Sequence, residues 1–448
     1  MPYQNEFAHY QPLRRIAESE RVKQLLKRSR VLYSGIVTKE LIPSPAPIAE
    51  GTLPSIVLAV DGSYAEVDVK NGYPGAKVGY VSVASVMVNL AELDRLDEHR
   101  PVNPVLYRTT EEPSSEACAL PGCNVITRTN NSASDSFREA VFDLFHDAII
   151  DEEDNTTLLD TYNSLLAYKP SVEIRCPNID CDNNVRIGMS VDTCPCSLKR
   201  PLYPTDALRI QERFVNESGS NGEALGLIMQ IWERLLLVHL LRCFESRGWL
   251  GKLNDVAFFL DGPLAVFGPP AWLSAAIQAE LMRLNQKAHD EGGSDLIVIG
   301  IEKSGTFVSH FEEMDRLEDG SDRFQSRSYF LLPDSYIKQR IINSDSSKRY
   351  GSQTYFGRKF FYKAASGARI VATLPFLTPE QDTLDSSDIS LYPKFPIICE
   401  LLDKLVTSRY PNALSPIVAA HAQAAIPLHL GQKVLKQLAT ALMLPQKT

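Results

Sequence analysis

The stretch EALGLIMQIWERLLLVHLLRCFESR, residues 223–247, constrains the fold more than any other part of the chain. At helical spacing its apolar residues fall on nearly every side, so the helix must be enclosed. What encloses it is legible nearby. SIVLAVDGSYAEVDV (55–69) and AKVGYVSVASVMVNL (76–90) alternate as strands and read as a hairpin, and VAFFLD (256–261), DLIVIGIEKSG (295–305) and ARIVATL (368–374) are further strands. Helical spacing returns at 13–30, 133–150, 271–288 and beyond Tyr392. Strands alternating with long helices predict an α/β sheet covered by helices. Residues 100–130 read as irregular and polar, and the acidic run Asp151 to Asp154 as a solvated turn. No apolar run has the length of a membrane span, and the N-terminus MPYQNEFAHYQPLRR lacks a signal-peptide core. A cytoplasmic location without a membrane partner is expected. With 448 residues and a net charge of −9, the chain is not a simple basic DNA-coating protein, although a local basic groove stays open.

Two of the strands stop at the same dipeptide, in LAVDGS and FFLDGP. Asp-Gly is a turn signal in its own right. At the ends of buried strands, however, Asp61 and Asp261 are positioned to converge on Mg²⁺ or Mn²⁺, hard ions that prefer oxygen ligands. The glycines would turn the chain and leave room for an ion. Such ions activate water and stabilise the leaving oxygen in phosphodiester cleavage. A third carboxylate is expected from a helix over the sheet. Glu233 is flanked by apolar residues and needs a partner, which a metal would provide and which Arg234 or Arg242 would provide as well. Glu245 is the alternative helix ligand. Ser63 has no G-x-S-x-G elbow around it.

The segment CPNIDCDNNVRIGMSVDTCPC holds Cys176, Cys181, Cys194 and Cys196 as C-x4-C and C-x-C, twelve residues apart. Four thiols in a reducing compartment suggest one tetrahedral structural zinc of ribbon or knuckle type, with four reduced cysteines or a redox pair as the plain reading. Cys118 and Cys123 repeat the C-x4-C spacing with only two ligands. Cys243 and Cys399 sit in apolar runs and are expected in the core.

The VDGS after a buried strand, the later LDGPL, the IVIGIEKSG strand and YPKFP, in this order over residues 55 to 430, resemble the NurA nuclease family. The resemblance implies an RNase H-like mixed sheet flanked by helices, here carrying a cysteine-rich insertion. It implies a homodimeric, Mn²⁺- or Mg²⁺-dependent nuclease that cuts single-stranded DNA and resects DNA ends. Its partner would be a HerA-like hexameric ATPase, in DNA repair or phage defence. Carried over by position, Asp61, Asp261 and Glu233 would be the metal ligands and Tyr392 the C-terminal active-site tyrosine, orienting the scissile phosphate or a bound water. Eight residues after it, where the family has histidine, stands Glu400, and His421 is the other source of an imidazole. Lys303 is placed to steady a phosphate or simply to face solvent. No G-x-x-x-x-G-K-[ST] is present, so ATP hydrolysis would belong to a separate chain. On this reading residues 1–50 are an N-terminal arm and linker, 51–90 open the core, 91–220 are an insertion with the cysteine segment at 171–200, and 221–448 complete the core. A non-catalytic adaptor of the same fold, binding the translocase or DNA through its zinc insertion, is the alternative.

Overall fold

The computed structural model describes residues 10–30, 41–69, 73–93, 95, 110–151, 155–169, 172–178, 181–196, 199–383, 387–407, 410–427 and 430–442. Most of the acidic run at 151–154 lies outside them. A nine-stranded mixed sheet organises the chain. Its strands are β1 (Ser44–Pro45), β2 (Ile56–Asp68), β3 (Lys77–Asn89), β4 (Glu111–Pro121), β5 (Val256–Asp261), β6 (Ile297–Glu302), β7 (Ser328–Leu331), β8 (Gly357–Lys363) and β9 (Arg369–Pro375), in the spatial order β1-β7-β8-β9-β6-β5-β2-β3-β4. The neighbours β2, β5 and β6 are parallel, and every other pairing is antiparallel. The expected hairpin is β2 and β3, in register from Ile56↔Asn89 to Asp68↔Lys77.

Alternation along the strands divides the core into two faces, as period-2 geometry requires. Val60, Phe258, Leu260 and Val298 face one side. They are covered by α3 (Ala133–Asp147), α4 (Leu158–Leu166), α5 (Gly222–Ser246) and α6 (Leu273–Asp290), with α1 (Gln11–Glu18) and α2 (Glu20–Arg28) preceding them in the chain. Val57, Ala59, Ala257, Phe259, Ile299 and Ile301 face the other side. After α7 (Thr306–Asp315), which packs on β8 and β9 in a smaller cluster, α8 (Phe395–Leu405) and α9 (Ser415–Ala424) cover that second face, and α10 (Leu430–Leu442) follows. The apolar helix is α5. It is long and apolar enough to cross a membrane by composition, but 78% of that window is buried within the fold.

Three sequence expectations change. The N-terminal helix breaks at Ser19, whose extended backbone (ψ 119°) separates α1 from α2, and neither helix buries a residue. Residues 111–121, expected to be irregular and part of the insertion, form β4, paired along β3 from Val78 to Val88. A sheet edge solvated over most of its length needs no apolar alternation, so EEPSSEACALP carries none. Asp61 does not end its strand either, since β2 runs on for seven residues to Asp68.

Candidate metal centre

Register explains how Asp61 and Asp261 meet. Leu260 is paired with Val60 across the parallel strands, so the two aspartates that follow are level, and both continue the rows facing α8 and α9. Asp61 is 1% exposed. Its Oδ1 accepts the Gly62 N–H at 2.7 Å, and its carboxyl lies within hydrogen-bonding reach of the Asp261 carboxyl. Lys303, just past β6, sits between them, with Nζ 3.4 Å from Asp61 Oδ2 and 3.1 Å from Asp261 Oδ2. From α9, His421 Nδ1 lies 3.0 Å from Asp61 Oδ2, on a side chain more than half exposed.

Glu233 arrives from the opposite face, on buried α5. Gly62 points toward that helix, and a Cβ there would lie 2.7 Å from Glu233 Oε1 and 2.7 Å from Met229 Cγ. The missing side chain lets the carboxyl approach the β2 backbone. Arg234 pairs with Glu233 and fastens the loop after β5, donating to Ala265 O at 3.2 Å, Pro263 O at 3.1 Å and Asp261 O at 3.4 Å. Of the two readings of Glu233, pairing with Arg234 is the one the contacts show, and its carboxyl lies close enough to Asp61 and Asp261 to feel their charge.

Electrostatics are those of a crowded acidic site. Burial, and next the Asp261 charge, push Asp61 up from 3.8 to about 6 against the opposing effects of Lys303 and His421. Burial pushes Glu233 up from 4.5 to about 8; Arg234 opposes this, while Asp61 and Asp261 add to it. Carboxyl groups that repel one another and retain protons near neutrality gain from a divalent cation, and oxygen-only donors select a hard one. The Asp61–Asp261 pair fits such an ion directly. Glu233 is less closely drawn in: among the described residues the one set of three or more acidic, histidine or cysteine ligand atoms all within 4.8 Å of one another is Cys176, Cys181 and Cys194.

A NurA domain model matches residues 55–426. The chain belongs to the NurA family. Three NurA crystal structures are similar at 12% identity. That of the Sulfolobus solfataricus NurA nuclease aligns over 89% of this chain and 87% of its own, with a TM-score of 0.33. A second NurA structure aligns over 97% and 98% with a TM-score of 0.31, and NurA with manganese over 96% of each chain with a TM-score of 0.25. No curated protein matches the chain. The family assignment rests on the sequence match, because superpositions this loose carry no argument.

Within this NurA chain the remaining site expectations separate. Glu245 is engaged elsewhere: hydrogen bonds from Arg283, and then from Lys287, hold it down at about 2. Glu400 accepts the Ala49 N–H at 3.2 Å and lies 3.8 Å from Arg327. His421, not Glu400, is therefore the group brought to Asp61. Tyr392 is buried on the same sheet face as the aspartates, but it is hydrogen-bonded to Arg358 of β8, four positions across the sheet from β2. The expectation that it orients a phosphate does not follow from this placement. Lys303 was the residue most easily undervalued. Its signal was a lone cation one residue past an apolar strand parallel to those carrying both aspartates.

The cysteines gather on the first face. Sγ of Cys194 lies 3.4 Å from that of Cys176 and 3.6 Å from that of Cys181, and Cys196 is within hydrogen-bonding reach of it. Buried Asn178 donates to Cys176 Sγ at 3.1 Å and to its other side receives Arg138 at 3.1 Å. Arg138 in turn grips Asp206 with two bonds of 2.8 Å and Asp135 with one of 2.9 Å, which bolts the cysteine segment to α3. Cys399 is buried as expected, Cys243 partly so.

Proposed function

We propose that this NurA protein is a Mn²⁺- or Mg²⁺-dependent deoxyribonuclease acting on single-stranded DNA or DNA ends. The observation that carries the reading is the side-by-side approach of Asp61 and Asp261 on parallel strands. They would hold the ion, with Glu233 as the third carboxylate. When bound, the ion supplies Lewis acidity at a phosphate oxygen and lowers the pKa of water. In the tautomer that carries its proton on Nδ1, facing Asp61, His421 would leave its Nε2 lone pair to take a proton from the attacking water. Arg234 keeps the Asp261 loop and Glu233 in place, and the sheet under Asp61 excludes solvent from one side. The order β4-β3-β2-β5-β6, with β2, β5 and β6 parallel, supports an RNase H-like core. Family membership supports a HerA-like hexameric ATPase as partner, a homodimeric state, and a cytoplasmic role in repair or phage defence.

The cysteine cluster fits one structural zinc. With Zn–S near 2.3 Å, tetrahedral sulfurs stand about 3.8 Å apart, close to the separations of 3.4 Å and 3.6 Å found here. Cys176, Cys181, Cys194 and Cys196 would be the four ligands, with Asn178 supporting Cys176 from outside. Elemental analysis of the purified protein checks this: about one zinc per chain is expected, and its absence after purification without chelators removes the reading.

Cleavage of end-labelled single-stranded DNA with Mn²⁺ tests the nuclease reading. Wild type cuts, and Asp61→Asn cuts at least about a hundredfold more slowly while keeping its circular dichroism. An inactive wild type that still binds a HerA-like ATPase would instead identify an adaptor.

A further inference from the structure

Two cations attend the carboxylates, and they differ in how they are held. Arg234 is 3% exposed and fixed by carbonyl oxygens as well as by Glu233. Lys303 is 35% exposed, and among the described residues its polar partners are the two aspartates. Its distances of 3.1 Å and 3.4 Å exceed the 2.7–2.9 Å of a tight charge-assisted bond. The ammonium bridges the pair without closing fully on either member. An ion held by both Asp61 and Asp261 would have to take the same position between them. An ammonium and a divalent ion cannot occupy it together, since like charges a few ångströms apart repel strongly at a partly buried site.

We infer that Lys303 is a built-in placeholder cation. It bridges the Asp61–Asp261 pair until a divalent ion is loaded, and loading swings it out on its flexible stem. The inference rests on the reading of the aspartate pair as the metal site and adds to it a cost of entry: the ion must displace a tethered competitor. A long side chain one-third exposed, held only by the two aspartates among the described residues, suits that exchange, and the pinned Arg234 does not. Lys303 is a positioning residue on this account, and removing its charge tightens metal binding where a purely structural lysine would leave it unchanged or weaken it.

Calorimetric titration of Mn²⁺ into the full-length chain decides the matter. Lys303→Met keeps the length of the stem without the charge and is expected to bind Mn²⁺ about tenfold more tightly than wild type, the equivalent of about 1.4 kcal/mol. Lys303→Arg keeps the charge and gains nothing. The double variant Asp61→Asn/Asp261→Asn binds no Mn²⁺ at this site. Thermal melts guard against a poorly folded variant: Lys303→Met melts lower than wild type without metal, and Mn²⁺ raises its melting temperature by more. Equal or weaker Mn²⁺ affinity in Lys303→Met overturns the placeholder while leaving the metal site standing. Wild type that binds no Mn²⁺, or a double variant that binds it as well as wild type, overturns both.

Discussion

Asp61-Gly62 and Asp261-Gly262 are the same dipeptide after similar apolar strands, yet their glycines answer different physical demands. Gly62 continues β2, paired with Val83, and its backbone is not left-handed. It is glycine because of space, since Glu233 fills the volume a Cβ would take. Gly262 ends β5 with φ at +79°, and its N–H returns to Ile301 O at 2.7 Å. It is glycine because of conformation, and a Cβ there meets only Arg234 Nη2 at 3.4 Å. One glycine admits a third carboxylate from the far face, and the other turns the chain away so that Asp261 stands at the strand end. The aspartates differ in the same sense, Asp61 buried mid-strand and Asp261 partly exposed at the rim.

The largest effect expected from this contrast is on catalysis. Asp61→Asn removes the charge whose Oδ2 meets Lys303 and His421, and it should lower the rate of Mn²⁺-dependent DNA cleavage by about 10²–10³-fold, the scale for loss of one preorganised charge-stabilising group. Asp261→Asn should cost less, because solvent at the rim replaces part of what is lost. Single-turnover rates on one labelled oligonucleotide rank the two, and a milder defect in Asp61→Asn would reverse the assignment of the buried member as the principal ligand.

Substituting the glycines comes next. Gly62→Ala overpacks against Glu233 and Met229 at about 1–3 kcal/mol. Its activity falls further than its stability, because the carboxyl that must move belongs to the site. Gly262→Ala forces a left-handed residue at about 1–2 kcal/mol, with a comparable loss of stability and a smaller loss of activity. Urea melts paired with cleavage rates separate them. Equal ratios of activity loss to stability loss would show that space and conformation are not the distinction between the two positions.

That distinction was invisible in the sequence, where DG reads as a turn in both places. The hairpin, the parallel strands and α5 were legible because burial writes itself as periodicity. The strands β7 and β8 were not. GRKFFYK is buried throughout, but its lysines are neutralised by partners far along the chain: Lys359 by Glu302, and Lys363 by Asp315 at 2.8 Å and Asp322 at 2.6 Å. Long-range ion pairs leave no local signature. Of the candidate site, the approach of the two strand aspartates to one another was legible, and so was the pairing of Glu233 with Arg234 as one of its two readings. What the motif did not show at Tyr392 was its partner, Arg358, because a local likeness says nothing about which strand a side chain will meet.

Acidity should follow the same contrast, with a smaller effect. The folded values of Asp61, about 6, and Glu233, about 8, lie above their ordinary values of 3.8 and 4.5. Raised carboxyl groups contribute stability that is complete below about pH 4 and is lost as pH climbs through 6 and then 8. The metal-free protein should therefore lose melting temperature from this site between pH 5 and pH 8, and Mn²⁺ should protect more at pH 8 than at pH 5. Asp261→Asn removes a charge that raises both groups and should flatten the decline. A decline unchanged in Asp61→Asn and Asp261→Asn would assign it to other groups.

The smallest effect is expected where the two aspartates have no part. Tyr392 shares their sheet face, but its hydroxyl is bonded to Arg358 on β8, a side chain that is itself buried. Tyr392→Phe leaves that guanidinium short of one acceptor, at a cost of about 1.5 kcal/mol for a hydrogen bond to a charged group. The ring stays in place under α8, so packing is conserved and the distance to β2 is unaltered. Cleavage rate and Mn²⁺ affinity should match wild type at temperatures well below the lowered melting point. A variant that melts as wild type does but cuts poorly would bring the tyrosine back into the chemistry, and would require α8 to carry it across the sheet when DNA binds.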